Sequence, residues 1–364
     1  MNRKALSIAI ASAMAIPTPV QAMKYKLSGQ VTRSVVYYDD GEQSDVRSVD
    51  SGESGTRFRL RGSEDLGNGL QVGFYWELQT SSNSARGARP DEGSDGSQNS
   101  NDLRQANVWF SGNWGKLTLG QQDGAGNGAT EVDLSGTDLS GAYHGRTSFT
   151  GGMRWRTSGG GCITDTGAPD PDCANAATGD TFFNEFDAFS RYDGVRYDSP
   201  RLGPVTLSMS VGNDSKWETA ARVSSTLAGG QLSAALFYGQ ASGALNVDNR
   251  YGGSVSYLFS QGTNITGAYA HSENESGLDS DVFSVKLGHK WGQNAVSIGY
   301  GEASDVTTNG FDDKGLNIGY VRSLPKVNTQ LYASYFFQSL DGPAGVPSVE
   351  DHNAVVAGAR VQFD

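Results

Sequence analysis

The chain has 364 residues, a formal net charge of −12, 49 glycines and a mean hydropathy of −0.44. That acidity repels phosphate backbones and excludes a nucleic-acid partner. No later run is apolar over the roughly 18 positions a membrane helix needs, which leaves soluble folds and membrane β-barrels, whose alternating walls escape hydropathy averaging.

The first element reads as a leader. Asn2-Arg3-Lys4 is basic, Ala5 to Ile16 is a short apolar run, and Val20-Gln21-Ala22 offers small residues for cleavage. Residues 1–22 are therefore expected to be a signal peptide and 23–364 the mature chain. Losing Arg3 and Lys4 with the leader takes the charge from −12 to −14. Export to an oxidising compartment makes Cys162 and Cys173 a candidate disulfide, which would close a loop of about 12 residues and contribute roughly 3 kcal/mol. Two free thiols are the alternative; a metal pair is weaker, with no histidine nearby.

Strands follow one another through the rest of the chain. Leu27, Val31, Val35 and Tyr37 alternate with polar residues, interrupted by Arg33. Phe58 and Leu60 alternate with Arg57, Arg59 and Arg61. After Asn68-Gly69, Leu70, Val72, Phe74, Trp76 and Leu78 alternate with Gln71, Tyr75, Glu77 and Gln79. Ala106, Val108 and Phe110 share a face, as do Leu117 and Leu119 beyond a tight turn at Gly112-Asn113-Trp114-Gly115. The second half repeats the pattern at Val205–Val211, Leu232–Tyr238, Tyr251–Phe259, Ile265–Tyr269, Phe283–Leu287, Val296–Tyr300, Leu316–Tyr320, Leu331–Tyr335 and Val355–Phe363. A period of two gives each strand one apolar and one polar face.

Short turns alternate with long Gly/Asp/Ser-rich connections, and aromatic residues gather near strand ends, as in the two rims of a membrane barrel. Nothing helical is available to cover so large an apolar surface, so lipid must. The expected fold is all-β: about sixteen antiparallel strands in a transmembrane β-barrel, too wide for side chains to fill and therefore wet inside. With four histidines and no Gly-x-Ser-x-Gly, no catalytic constellation emerges. No cofactor is expected, and no loop has an EF-hand pattern.

Three stretches carry a family likeness. Gly62-Ser63-Glu64-Asp65-Leu66-Gly67-Asn68-Gly69-Leu70 resembles the turn between the second and third strands of general bacterial outer-membrane porins. Arg104-Gln105-Ala106-Asn107-Val108-Trp109-Phe110 with Trp114-Gly115-Lys116-Leu117-Thr118-Leu119-Gly120 resembles the next hairpin. Val195-Arg196-Tyr197-Asp198-Ser199-Pro200 resembles the strand that follows the constriction loop. The resemblance implies a homotrimer in the outer membrane of a Gram-negative bacterium, in contact with lipid and lipopolysaccharide. Each barrel would be a passive channel for small hydrophilic solutes, narrowed by an inward-folded third loop, here roughly 123–190. Two departures stand out: Asp364 follows the terminal Phe363, and Gln121 stands where an arginine often does.

Selection in such a channel is electrostatic. Strand parity turns Arg57, Arg59, Arg61, Arg196 and Arg222 inward; Arg33 joins this basic wall only if a bulge shifts it, and otherwise lies near an interface. The opposing acids that the resemblance implies are Glu131, Asp133 and Asp138. Overall acidity leans weakly toward cations and the arginine ladder toward anions. The alternative function is a substrate-specific channel for sugars or for anions such as phosphate.

Overall fold

The computed structural model describes residues 23–91, 100–141, 146–184, 187–213, 215–242, 247–275 and 277–364. The leader reading at 1–22 lies outside them. Along the chain run β1 (Lys24–Asp39), β2 in two segments (Ser44–Asp50 and Thr56–Gly67), β3 (Leu70–Ser81), β4 (Ser100–Gly112), β5 (Gly115–Asp123), β6 (Arg191–Asp198), β7 (Val205–Gly212) and β8 (Trp217–Leu227). Then come β9 (Gly230–Ala241), β10 (Val247–Leu258), β11 (Thr263–Asn274), β12 (Asp279–Trp291), β13 (Asn294–Ser304), β14 (Asp312–Leu324), β15 (Thr329–Asp341) and β16 (His352–Phe363). Each strand pairs antiparallel with the next. The sheet counts 17 segments, but both halves of β2 pair with β1, so the staves number sixteen. β16 returns to β1 in unbroken register from Gly29↔Phe363 to Asp39↔Asn353 and closes the barrel.

The turns explain the register. At one end 68–69, 113–114, 228–229 and 292–293 are two-residue connections. Asn68 and Gly69 have φ of 55° and 76°, both positive as a type I′ hairpin requires. At the other end lie 82–99, 124–190, 305–311 and 342–351. Where β2 breaks at 51–55, the Gln30 amide donates to Ser54 Oγ at 2.7 Å and to the Gly55 carbonyl at 2.8 Å, replacing ladder bonds the break removes.

Parity divides the two surfaces. Along β12, Val285 is 54% exposed, Lys286 2% and Leu287 52%. The outward set includes Leu27, Val31, Leu207, Met209, Val255, Ile265, Ile298 and Val355, all exposed in the isolated chain. Rings frame this belt: Trp114 stacks on Tyr197 at 6.5 Å and, with Phe259 and Trp291, marks the short-turn rim; Tyr37, Tyr251 and Tyr269 mark the other. An apolar outside of this kind is a lipid-facing surface. Val285→Arg, mid-strand and outward, is expected to lower folding stability in phospholipid vesicles by about 2–4 kcal/mol. Ser63→Arg, inward and exposed, should cost far less; equal losses in a urea titration would contradict the assignment of faces.

Candidate functional site: the inner wall

Alternation in β2 aims Arg57, Arg59 and Arg61 inward, opposite Gln79, Glu77 and Tyr75 of β3. Like charges at a repeat of about 7 Å need water or counter-charges. Arg57 Nε donates to Gln79 Oε1 at 2.9 Å, so its charge has only an amide partner there. Arg59 ion-pairs with Glu77, whose other oxygen accepts from Arg104 Nε at 2.7 Å. Arg104 reaches Glu77 because the β3–β4 register shifts between Glu77 and Leu78, a bulge that re-aims one side chain. Arg191 pairs with Asp123 at 2.8 Å. Arg57, Arg104 and Arg191 line one recess of about 500 Å³, and Glu131 lies in the same recess. Arg57 lies within reach of the charges of Arg104, Arg59 and Arg191 and of the opposite charge of Glu77. Arg59, Arg104 and Arg191 thus pair with Glu77 and Asp123 beside Arg57, and the recess is lined as well by Arg86 and by the carboxylates Asp50, Glu53 and Asp102.

Arg196 and Arg222 are inward, as parity requires, but they hold backbone. Arg196 chelates Asp198 at 2.8–3.0 Å and donates to the Gly124 carbonyl at 2.9 Å; Arg222 donates to the carbonyls of Ala125 at 2.8 Å and Asn127 at 2.6 Å. Arg33 does not join the wall. Its register with β16 is uninterrupted, so it keeps the outward parity of Val31 and Val35 and pairs with Asp50 at 2.8 Å. Ser82 Oγ accepts a second bond from it at 2.8 Å, and the backbone amides of Ser82 and Asn83 also reach Asp50.

Of the three loop acids, Glu131 shares the arginine recess, and Asp138 is exposed with its charge felt by Arg360. Asp133 is spent elsewhere: buried, it pairs with the fully buried Lys286 of β12 at 2.8 Å. Burial alone would raise its carboxyl, but the Lys286 charge and hydrogen bonds from Lys286 and Ser135 outweigh that and hold it below the ordinary 3.8.

The segment after β5 bonds to the wall strand by strand. The Ala125 amide donates to Ser210 Oγ on β7, Gly126 to Glu218 on β8, and Val132 and Leu134 to Ser254 and Ser256 on β10, at 2.7–3.0 Å. Thr137 meets Ser297 on β13 at 2.7 Å, and the Ser140 carbonyl accepts from Ser334 on β15. Farther on, Leu139, Phe149 and Met153 pack with the inward residues Val36, Tyr38, Tyr332, Phe336 and Val356. Tyr192, Phe237 and Tyr332, inward aromatic residues, are thereby buried. Cys162 and Cys173 are joined as a disulfide. Nearby, buried Arg156 binds Asp40 at 2.7 Å and Asp91 at 2.9 Å, tying this segment to two other loops, and Trp155 stacks on His352 at 3.9 Å.

The profile of the Gram-negative porin family matches residues 5–343. The chain belongs to that family. No curated protein matches the sequence. Among solved structures, the anion-selective porin from Comamonas acidovorans is 18% identical with a TM-score of 0.60, covering 94% of this chain and 100% of its own. OmpT of Vibrio cholerae is 13% identical at a TM-score of 0.58, covering 96% and 100%. Salmonella typhi OmpF, in a complex with daunomycin, is 16% identical at 0.59, covering 94% and 98%. At these identities the likeness establishes the fold. The porin is an outer-membrane channel of a Gram-negative bacterium through which solutes diffuse, and not an enzyme.

Sequence reasoning overlooked Arg104, Glu77 and Lys286. Parity carried a signal for two of them, since Glu77 lies between Trp76 and Leu78 and Lys286 between Val285 and Leu287; the bulge that aims Arg104 left none. The Asp133–Lys286 pair also fixes a pH dependence. Because the native carboxyl lies below its ordinary value, the pair's contribution is complete above that ordinary value and is lost as pH falls through the lowered one. The contribution of this pair should therefore be the same at pH 7 and pH 5. Lys286→Met leaves a buried carboxylate without a partner and is expected to cost about 3–5 kcal/mol at pH 7. That loss should shrink toward pH 4 as the lone carboxyl protonates, and a pH-independent loss in thermal unfolding would dismiss the pair as its source.

Proposed function

We propose that the chain is a general diffusion porin whose passage runs beside the arginine wall of β2–β6 and favours anions. The observation that carries this reading is the clustering of Arg57, held by the neutral Gln79, with Arg59 and Arg104 on the single carboxylate of Glu77 and Arg191 on Asp123. The lean toward cations rests on the net charge of −12, but Asp165, Asp172 and Glu275 are exposed loop acids outside the recess. Of the three long-loop acids Glu131 lines the recess, together with Glu53, Asp102 and the Arg33-bound Asp50, and Asp133 is withdrawn by Lys286. The Comamonas protein is described as anion-selective; the same preference is our reading for this chain.

In this reading the segment 124–190 is the inward-folded third loop. Its successive bonds to Ser210, Ser254, Ser256, Ser297 and Ser334 support it, since all five side chains belong to the inward set. The loop narrows the barrel from the β7–β16 side and over Val36 and Tyr38 of β1, and leaves the arginine recess of β2–β6 beside it. Residues 1–22 serve export, and the mature chain assembles as a homotrimer among lipid and lipopolysaccharide. A sugar-type path along Tyr192, Phe237 and Tyr332 gains no support, because those rings are covered.

Planar-bilayer recording tests the whole. Purified porin should give stepwise current, in groups of three for a trimer, and a reversal potential under a KCl gradient that reports anion preference. Replacing Arg57, Arg104 and Arg191 with glutamine should lower the anion-to-cation permeability ratio at least about two-fold. An unmoved reversal potential would place the selecting charge elsewhere.

A further inference from the structure

A second recess, of about 610 Å³, opens nearer the short-turn end among inward side chains of β1–β6. Trp109 lines it. The outward neighbour Val108 is 47% exposed, so parity turns the indole into the lumen. The ring lies directly over β3: a β-carbon at Gly73 would collide with indole atoms Cζ2 and Cε2. Glycine at that position therefore lets a large aromatic ring lie against the barrel wall. Lys116 Nζ stands 5.0 Å from the centre of the ring. Lys24 and Arg61 line the same recess and have no hydrogen-bonded or ion-paired partner among the described residues, while its two carboxylates, Asp123 and Asp198, are paired with Arg191 and Arg196. Arg196, also present, is already committed to Asp198 and to two backbone carbonyls.

We infer that this recess is a subsite for planar aromatic carboxylates, distinct from the arginine recess and reached by solutes leaving it. It rests on the channel reading above. An indole face held against the wall stacks a second flat ring, an attraction that a saturated ring of the same charge does not share. A carboxylate in the plane of the stacked ring projects to the rim of the indole, where the Arg61 fork and the mobile Lys116 ammonium can meet it. Without ligand, Lys116 rests over the indole through its cation–π contact; a stacking ring takes that place and the ammonium moves to the carboxylate. The chemistry selects for both properties at once. An aliphatic acid has the charge without the face, and a neutral aromatic has the face without the charge.

The test uses the intact porin in planar bilayers, with KCl carrying the current and either benzoate or cyclohexanecarboxylate added on the short-turn side. Benzoate is expected to half-block the current at a concentration about five-fold lower than cyclohexanecarboxylate. In Trp109→Leu the two half-blocking concentrations should converge, while in Lys116→Gln both should rise together with their ratio kept. Equal block by the two acids in the native porin overturns the subsite, and so does a benzoate preference that survives in Trp109→Leu. If Trp109→Leu does not assemble, Trp109→Phe, which keeps a smaller ring, should retain a reduced preference; an undiminished one overturns the role of the indole. A native porin that blocks as expected but shows cation selectivity would leave the subsite standing and remove the anion-wall reading. Absence of any ion current in KCl would remove the channel itself.

Discussion

Hydrocarbon offers a backbone amide nothing to bond with, and the architecture follows from that constraint. A sheet in lipid must pair its last strand with its first, which β16 does with β1 across eleven residue pairs from Gly29↔Phe363 to Asp39↔Asn353. Closure then turns the two-residue period into two environments. Each strand sends one set of side chains to lipid and the other to the lumen, and a slip of one residue would exchange them. The sequence satisfies this condition strand after strand without an apolar run of the length a membrane helix needs. The one break, in β2, occurs where Gln30 can supply hydrogen bonds from inside the barrel.

A barrel of sixteen strands leaves more interior than its wall side chains can fill, and this chain fills part of it unevenly. From β7 to β16 many inward residues are small and polar, or apolar, with Glu218, Arg222 and Lys286 as charged members, and the segment 124–190 bonds to the polar and charged ones and packs on the apolar ones. Ser254 and Ser256 present hydroxyls to passing backbone; Phe336 and Tyr332 present rings to Leu139 and Phe149. Along β2–β6 the wall is instead long and cationic. A 67-residue connection with no strand in the main sheet has a large ordering entropy to offset. This one offsets it with an apolar cluster around Trp155 and Phe182, the Cys162–Cys173 bond and the buried Arg156–Asp40–Asp91 group.

Strand count, faces and closure were legible from alternation because lipid enforces the pattern at every position. Side-chain roles were legible only where parity alone decides them. Arg57, Arg59 and Arg61 face inward as alternation requires, and Arg196 and Arg222 do too, yet those last two hold loop carbonyls. Arg33 shows the opposite limit. An arginine on an apolar face invites a bulge, whereas the structure keeps the register and gives it a buried partner, Asp50, on the neighbouring strand. Asp133 could not be sorted from Glu131 and Asp138 by sequence. Which loop acid meets a wall lysine depends on where a long irregular segment crosses β12, and periodicity says nothing about that.

The contrast between an acidic chain and a basic wall is resolved by distance. At physiological ionic strength a charge is screened over about 8 Å, so acids on exposed loops act weakly on an ion inside the barrel. Within the recess the same ion meets guanidinium groups from β2, β4 and β6 in a narrow space bounded by protein, where screening is less complete and fields are focused. Net charge therefore describes the mouths and the solubility of the exported chain, and the local ratio of arginine to carboxylate describes the passage. Glu77 sharpens this point. By binding both Arg59 and Arg104 it holds two cations in place at the cost of one neutralised charge, so it organises the basic wall more than it cancels it.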